Sequence, residues 1–443
     1  MRSFTARELA SNMAYVARNF YSFQRQPFAD RGRMRAYQLK QLQQLVAFAY
    51  EHVGLYREKY DGAGVHPSDL RTLADLAHFP TISKDDVLAA YPEAALASGL
   101  DLRRCLLSKS SGSTGQVLNV VHQADRLGIQ GLALNRLFAL YGPYQPWQRL
   151  VYIYTSEYPA RSVLGLYQMI LILTLTPTDQ ILARLRALRP HYLACYPSHL
   201  RALANALGPA GCRALRLRAI SVSSELSTQQ ERDDLAALFG CGVYDEYSTE
   251  ELTHVAAQCR QKTYHIFEDV VYLEIVAPDS ERVLSAGERG EVVGTYLHNY
   301  AMPFIRYRQG DSAALDEAAC SCGRTFRAIR ELGGRKLDQF VLPSGRVLTS
   351  GWLLDASYSF LLDVGADIAA FTLIQETIHD VKIEIVPGAT YNAAMSEAVR
   401  ARLLELVGEP LNVYVALVPA VTRSGGGKHH PIVSHVHQRT ATK

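Results

Sequence analysis

Between residues 150 and 247, four short runs rich in Tyr, Val and Ile recur, with helix-length stretches between them. They are residues 150–154, Tyr192 to Tyr196, Ala219 to Val222 and Val243 to Tyr247. Residues 178–208 read as helix, strand, helix, and another helix starts near Ser227. Short β-prone runs regularly interrupted by helices specify βαβ units, so this stretch predicts an α/β fold with mostly parallel pairing.

The flanking segments follow other patterns. Residues 7–60 read as helices, and Ser83 with Asp86 three positions on has the spacing of a capping box. Cys105 to His122 reads as strand, small-residue loop, strand, followed by a helix over 123–140. From 265 to 315 the chain is β-rich and turn-punctuated, with Val270–Val276 and Gly290–Tyr296 as the clearest strands, which suggests antiparallel pairing. After Gly333-Gly334 come strands near 371–376 and 381–386, a helix over Ala393–Val407 and a strand at Val413–Val418, the content of a small α+β domain. A chain of 443 residues exceeds what one ordinary core supports. We therefore expect a large N-terminal domain, 1–334, with mixed sheets and helices, joined by a hinge to a small C-terminal domain, 335–443.

Several function classes are disfavoured. A net charge of +3 with no basic tract gives no footprint for nucleic acid. The most apolar run, Met169 to Leu175, falls far short of the roughly 20 residues a membrane span needs, and the N-terminus lacks a signal-peptide pattern. A cytoplasmic protein with no nucleic-acid or membrane partner is the expectation. Seven cysteines make an odd count for a disulfide framework.

Six motifs carry candidate chemistry. Ser108 to Gly115, S-K-S-S-G-S-T-G, places small residues and hydroxyls between two strands; it reads as an anion-binding loop or as a hairpin tip. Asp245 to Glu251, D-E-Y-S-T-E-E, directly follows a predicted strand; it reads as a nucleotide site, with Tyr247 for a base and a carboxylate for Mg²⁺, or as an acidic helix start. Gly310-Asp311 at a strand end suits ribose hydroxyls or a surface turn. Gly333 to Asp338 sits where composition suggests a hinge, with Arg335 in reach of a phosphate or acting only as a linker charge. Arg423 to Lys428 carries three glycines and one Lys, which reads as a swinging cation or as a loose tail. Cys259, Cys320 and Cys322 with His265, or with His254, have the donor set of a tetrahedral Zn²⁺ site; the alternative is three reduced thiols. Four protein ligands leave no open position, which sets aside a zinc hydrolase.

Taken in order, these motifs resemble the adenylate-forming enzymes, in the branch that holds phenylacetate–CoA ligases and CapK-like proteins. The resemblance runs from about Phe79 to Lys428. Its strongest block, Tyr247 to Arg346, holds Y-S-T-E-E, C-R-Q-K-T-Y-H, H-N-Y-A-M-P-F-I-R-Y, C-S-C-G-R and G-G-R-K-L-D. It implies ATP, Mg²⁺, a structural Zn²⁺ and a small carboxylic acid, with CoA or an amine as acyl acceptor. By the same resemblance Ser110, Ser111, Gly112, Ser113, Thr114 and Gly115 hold phosphates, Tyr247 packs on adenine and Asp311 binds ribose. Arg335 contacts the nucleotide, Asp338 is the hinge and Lys428 is the mobile catalytic lysine. Glu251 serves Mg²⁺, with Glu250 in that role if the register slips, because Ser248 and Glu250 replace the usual Gly and Thr of the motif. Cys259, His265, Cys320 and Cys322 match the family's zinc ligands. The resemblance points to an acid–thiol ligase; an amide-forming ligase and a non-catalytic nucleotide-binding homologue are the competing expectations. The acid, an aromatic one among the candidates, is not readable, although Tyr152 to Tyr158, Tyr196 to His199 and Ser223 to Glu225 are candidate pocket walls.

Overall fold

The computed structural model of the chain describes residues 4–109, 118–154, 165–278, 280–333, 339–348, 352–354, 356–357, 364, 367–422 and 429–436. Its helices are α1 (Ala6–Arg25), α2 (Arg31–His52), α3 (Gly54–Ala63), α4 (Lys84–Ala90), α5 (Gly128–Tyr141), α6 (Thr178–Leu188), α7 (Pro197–Ala214), α8 (Gln229–Phe239) and α9 (Ala393–Val407). The strands of the N-terminal part are β1 (Cys105–Lys109), β2 (Asn119–Gln123), β3 (Arg149–Tyr154), β4 (Gln168–Leu173), β5 (Tyr192–Cys195), β6 (Ala219–Ser223), β7 (Gly242–Thr249), β8 (Thr253–Gln258), β9 (Tyr264–Ile266), β10 (Val271–Val276), β11 (Arg289–Tyr296), β12 (Tyr307–Asp316) and β13 (Ala328–Arg330). Those of the C-terminal part are β14 (Phe340–Val341), β15 (Val347–Leu348), β16 (Ile368–Gln375), β17 (Asp380–Pro387), β18 (Asn412–Leu417) and β19 (Ile432–Ser434).

Eleven strands form one sheet in the order β10-β11-β12-β13-β9-β8-β7-β6-β5-β3-β4. From β4 to β7 every pair is parallel; from β7 to β10 every pair is antiparallel. The parallel half is apolar on both faces because it is covered on both. Successive side chains point to opposite faces. Val151, Ile153, Leu193, Cys195, Ile220 and Val222 accordingly pack with Leu185, Leu200 and Phe239 of α6, α7 and α8. Their neighbours Leu150, Tyr152, Tyr192, Ala194 and Ala219 join the main core with Leu137, Phe138 and Tyr141 of α5. The expected α/β class with a mixed sheet is what the chain adopts. The strand β4 at the sheet edge is an addition to the sequence reading.

In the C-terminal part four strands run in the order β18-β17-β16-β19, with α9 against them. Phe371, Leu373, Val381, Ile383 and Ile385 meet Val399, Leu403 and Val407, again by alternation along each strand. The strands and helix expected there are present, and three-residue β19 adds a parallel partner to β16. Among the described residues no helix is long and apolar enough to cross a membrane.

Two buried arginines fasten the N-terminal helices and loops to the sheet. Arg136 on α5 makes two 2.6 Å bonds to the carboxylate of Asp269, and the side chains are 3% and 0% exposed. Its guanidinium also lies 3.5 Å from the ring centre of Phe23 on α1. Arg306, fully buried, bonds Glu274 at 3.0 Å and the carbonyl oxygens of Ala77 and Phe79. Removing one partner of such a pair strands the other charge away from water. Arg136→Ala is therefore expected to lower stability by about 3–5 kcal/mol, read as a fall in the urea midpoint with an unchanged slope.

Candidate active site

Parallel strands end on the same side of a sheet, and ligands of open α/β sheets bind in the crevice beyond those ends. Here the C-terminal ends of β3, β5, β6 and β7 bring Tyr154, Tyr196, Ser223 and Tyr247 to one edge. Tyr154 and Ser223 share a hydrogen bond through their hydroxyls. The rings of Tyr154 and Tyr196 meet edge to face at 5.3 Å. Tyr152, one of the expected wall residues, is buried one position back from Ile153. His199, on the first turn of α7, is hydrogen-bonded to the Thr174 carbonyl at 3.0 Å. Tyr158 lies outside the described residues.

Tyr247 and Asp311 meet although 64 positions separate them: the Tyr247 hydroxyl donates to Oδ2 of Asp311 at 2.6 Å. Two irregularities make the contact. The β7–β8 register shifts between Tyr247 and Ser248. The β11–β12 register slips as well, with Glu291 opposite Ser312 but Val293 opposite Arg308. Gly310 sits in that extra length with φ +74°, a conformation that costs glycine little. This corrects the sequence reading in one respect. Gly310-Asp311 lies at a bulge inside β12, away from the strand's end, because a bulge re-aims a side chain without ending the pairing.

The Asp245 to Glu251 run is also placed differently from expectation. Asp245 to Thr249 are the last residues of β7, and the chain then turns through Glu250 to Leu252 into β8, so no helix starts here. Glu251 is buried and accepts a hydrogen bond from the Tyr307 hydroxyl at 3.2 Å, whereas Glu250 is exposed. A carboxylate fixed in this way offers the hard oxygen donors that Mg²⁺ takes, so Glu251 fits the ion and Glu250 faces solvent. Behind them, burial pushes the Asp245 carboxyl up to about 6, against the pull of Arg232 and a 2.6 Å hydrogen bond from Tyr264. Glu246 is paired with His254 in the interior.

That pairing takes His254 out of the cysteine cluster. Cys259, His265, Cys320 and Cys322 put four donor atoms within 4.8 Å of one another. Zn–S bonds of about 2.3 Å at tetrahedral angles set sulfurs roughly 3.8 Å apart, and Sγ of Cys259 and Cys320 are 3.8 Å apart. Sγ of Cys322 lies 3.2 Å from His265 Nε2. The other ring nitrogen, Nδ1, is hydrogen-bonded to the Phe326 carbonyl at 3.2 Å, which turns Nε2 toward the thiols. Burial pushes the Cys259 thiol up to about 11, so a thiolate there needs a cation beside it. The donor set fits Zn²⁺.

Ser110, Ser111, Gly112, Ser113, Thr114, Gly115, Arg335, Asp338 and Lys428 lie outside the described residues. The strands flanking the Ser110–Gly115 loop pair antiparallel, Lys109 opposite Asn119, as the strand–loop–strand reading expected. Two contacts left no mark in the sequence: Tyr307 against Glu251, and Glu225 against both Ser198 and the backbone of His429. Neither pair has a spacing that a local pattern could reveal.

No protein-family model matches the chain. Its fold is that of the adenylate-forming enzymes. A crystal structure of 2-hydroxyisobutyryl-CoA ligase in the postadenylation state, in complex with R3-HIB-AMP, aligns with a TM-score of 0.78 at 21% identity, covering 94% of this chain and 93% of that one. The chain belongs to the phenylacetate–coenzyme A ligase family: it is 30% identical over 325 residues to phenylacetate-coenzyme A ligase of Thermus thermophilus, covering 70% of this chain and 72% of that protein. The Escherichia coli K12 protein of the same name is 30% identical over 335 residues, covering 72% and 74%.

The cysteine geometry generates a metal prediction. Purified protein is expected to carry one zinc per chain by plasma mass spectrometry. Cys320→Ser should lose it and lower Tm, while His254→Gln should keep it.

Proposed function

We propose that the chain uses ATP to convert a carboxylic acid into an acyl-adenylate and then transfers the acyl group to coenzyme A as a thioester. The observation that carries this reading is the Tyr247–Asp311 contact at the C-terminal edge of the sheet, in a chain of this family. One hydrogen bond there joins a ring for the base to a carboxylate for the ribose hydroxyls.

In the first half-reaction a substrate carboxylate oxygen attacks the α-phosphorus of ATP, the bond to the bridging oxygen breaks and pyrophosphate leaves. Little covalent work falls to the protein, so positioning and charge stabilisation dominate. Tyr247 stacks on the adenine and Asp311 accepts from the ribose. The amides and hydroxyls of Ser110 to Gly115 surround the phosphates, Arg335 contacts the nucleotide and Lys428 faces the developing charge. Glu251 would hold Mg²⁺, which neutralises phosphate oxygens when bound. In the second half-reaction the CoA sulfur attacks the acyl carbon, AMP leaves and the thiol proton is released. We assign residues 1–334 to the acid- and nucleotide-binding domain and 335–443 to a mobile domain turning at Asp338. The four-residue Cys/His cluster holds a structural Zn²⁺. An aromatic acid suits the wall formed by Tyr154 and Tyr196. Seven free cysteines suit a reducing compartment such as the cytoplasm.

The test is acid-dependent ATP–pyrophosphate exchange over a panel headed by phenylacetate, followed by CoA or mixed amines. Thioester formation is the expected outcome; amide products only, or ATP binding with no turnover on any acid, would overturn the CoA assignment. Lys428→Ala should lower exchange by about 10²–10³-fold, and near-wild-type exchange would remove Lys428 from its role. Asp311→Ala should raise the KM for ATP about tenfold or more through loss of charged hydrogen bonds to ribose.

A further inference from the structure

Glu225 stands in the loop between β6 and α8, and it is bound from two sides. The N-terminal part supplies Ser198, at the start of α7. Its backbone N–H donates to Oε2 at 2.9 Å and its hydroxyl to Oε1 at 2.9 Å. A helix N-terminus has unpaired N–H groups and a favourable field for an anion, so α7 holds this carboxylate in place. Ser224, with φ +69°, makes the turn that sends Glu225 back toward α7. The C-terminal part supplies the third donor, the backbone N–H of His429, which reaches Oε1 at 2.7 Å.

His429 is itself fixed. Its side chain is buried and hydrogen-bonded to Thr372 of β16 at 3.1 Å. Two residues on, the Pro431 carbonyl accepts from the Leu373 N–H at 2.8 Å, and Ile432 pairs with Leu373. The neighbour of Glu225, Leu226, packs on the hydrophobic core of the C-terminal strands and α9. One five-residue loop, 224–228, thus meets the C-terminal part through a charge-assisted hydrogen bond and an apolar contact.

We infer that Glu225 is a positioning residue for the first half-reaction: it pins the backbone next to Lys428 against the acid- and nucleotide-binding domain while the acyl-adenylate forms. The inference rests on the proposed adenylating function, since Lys428 acts in that step alone. His429 follows Lys428 directly in the chain, so holding its amide anchors one end of the glycine-rich Arg423–Lys428 run. The second half-reaction needs a different face of the mobile domain, so it does not use this contact. The bond is also reversible: Ser198 keeps the carboxylate oriented when His429 departs.

The first test needs no acid. By hydrogen–deuterium exchange on the full chain, the peptide that contains the His429 amide should exchange about tenfold or more faster in Glu225→Ala than in wild type, the loss expected for one hydrogen bond to a charged group. Peptides from β16 and β17 should not change and so report an intact fold. Unchanged protection at His429 overturns the inference. The second test separates the half-reactions, with phenylacetate and synthetic phenylacetyl-adenylate as probes. Glu225→Ala should lower kcat for ATP–pyrophosphate exchange about tenfold or more, with CoA-dependent consumption of the adenylate within about twofold of wild type; Glu225→Gln, which keeps an acceptor oxygen, should recover part of the exchange. Equal loss in both half-reactions overturns the inference, because a general structural defect does that. Wild-type protein that neither exchanges pyrophosphate nor consumes the adenylate counts against the proposed function, and the His429 exchange result still decides the contact.

Discussion

Backbone hydrogen bonds between β7 and β8, with Glu246 opposite Ala257 and Tyr247 opposite Ala256, join a parallel half-sheet to an antiparallel one. On one side of that seam, the helices α6, α7 and α8 connect β4, β5, β6 and β7, and all strand ends face one edge. On the other, β7, β8 and β9 are antiparallel neighbours in chain order, and the chain then crosses to the sheet edge at β10 and returns through β11 and β12 to place β13 beside β9. The seam explains why Tyr247, one residue past the last parallel pair at Glu246, is also the neighbour of a carboxylate carried by an antiparallel strand. It also sets the cysteine cluster, because Cys259 follows β8 directly and His265 lies on β9, one hairpin further along.

The buried charges repeat that division of labour. Arg306 lies wholly inside, bonded to Glu274 and to carbonyl oxygens of residues 77 and 79, and two residues on the Arg308 backbone N–H donates to the Ile82 carbonyl at 2.9 Å. These contacts fix where β12 begins, and hence where its bulge puts Asp311. Arg136 and Asp269 do the same for α5 and the turn before β10. Buried pairs of this kind add little net stability over apolar substitutes, yet they impose a single geometry because any other leaves a charge unpaired. The 2.6 Å hydrogen bond from the Tyr247 hydroxyl to Asp311 depends on that restriction.

The C-terminal part presents a different physical problem. It has its own core of β16, β17 and α9, and the loop after β6 reaches it through one hydrogen bond, Glu225 to the His429 N–H, and one apolar contact, Leu226 to that core.

The sequence by itself determined the fold class and most of the element order. β-prone runs of four or five residues between helices specify a parallel sheet covered on both faces, and the turn-rich segment 265–315 specifies antiparallel pairing, because each follows from local periodicity and turn chemistry. Motif order carried the resemblance to the adenylate-forming enzymes, and the Cys/His set was legible because donor types and spacing are written locally. Only the tertiary structure decided which of two histidines joins the cysteines. His265 is turned to them by the Phe326 carbonyl and His254 is claimed by Glu246. It also decided that Gly310-Asp311 lies at a bulge, that Glu251 is the buried carboxylate of the pair, and that Glu225 touches His429 from 204 residues away. Those facts depend on sheet register and on the docking of distant segments, and neither leaves a periodic trace along the chain.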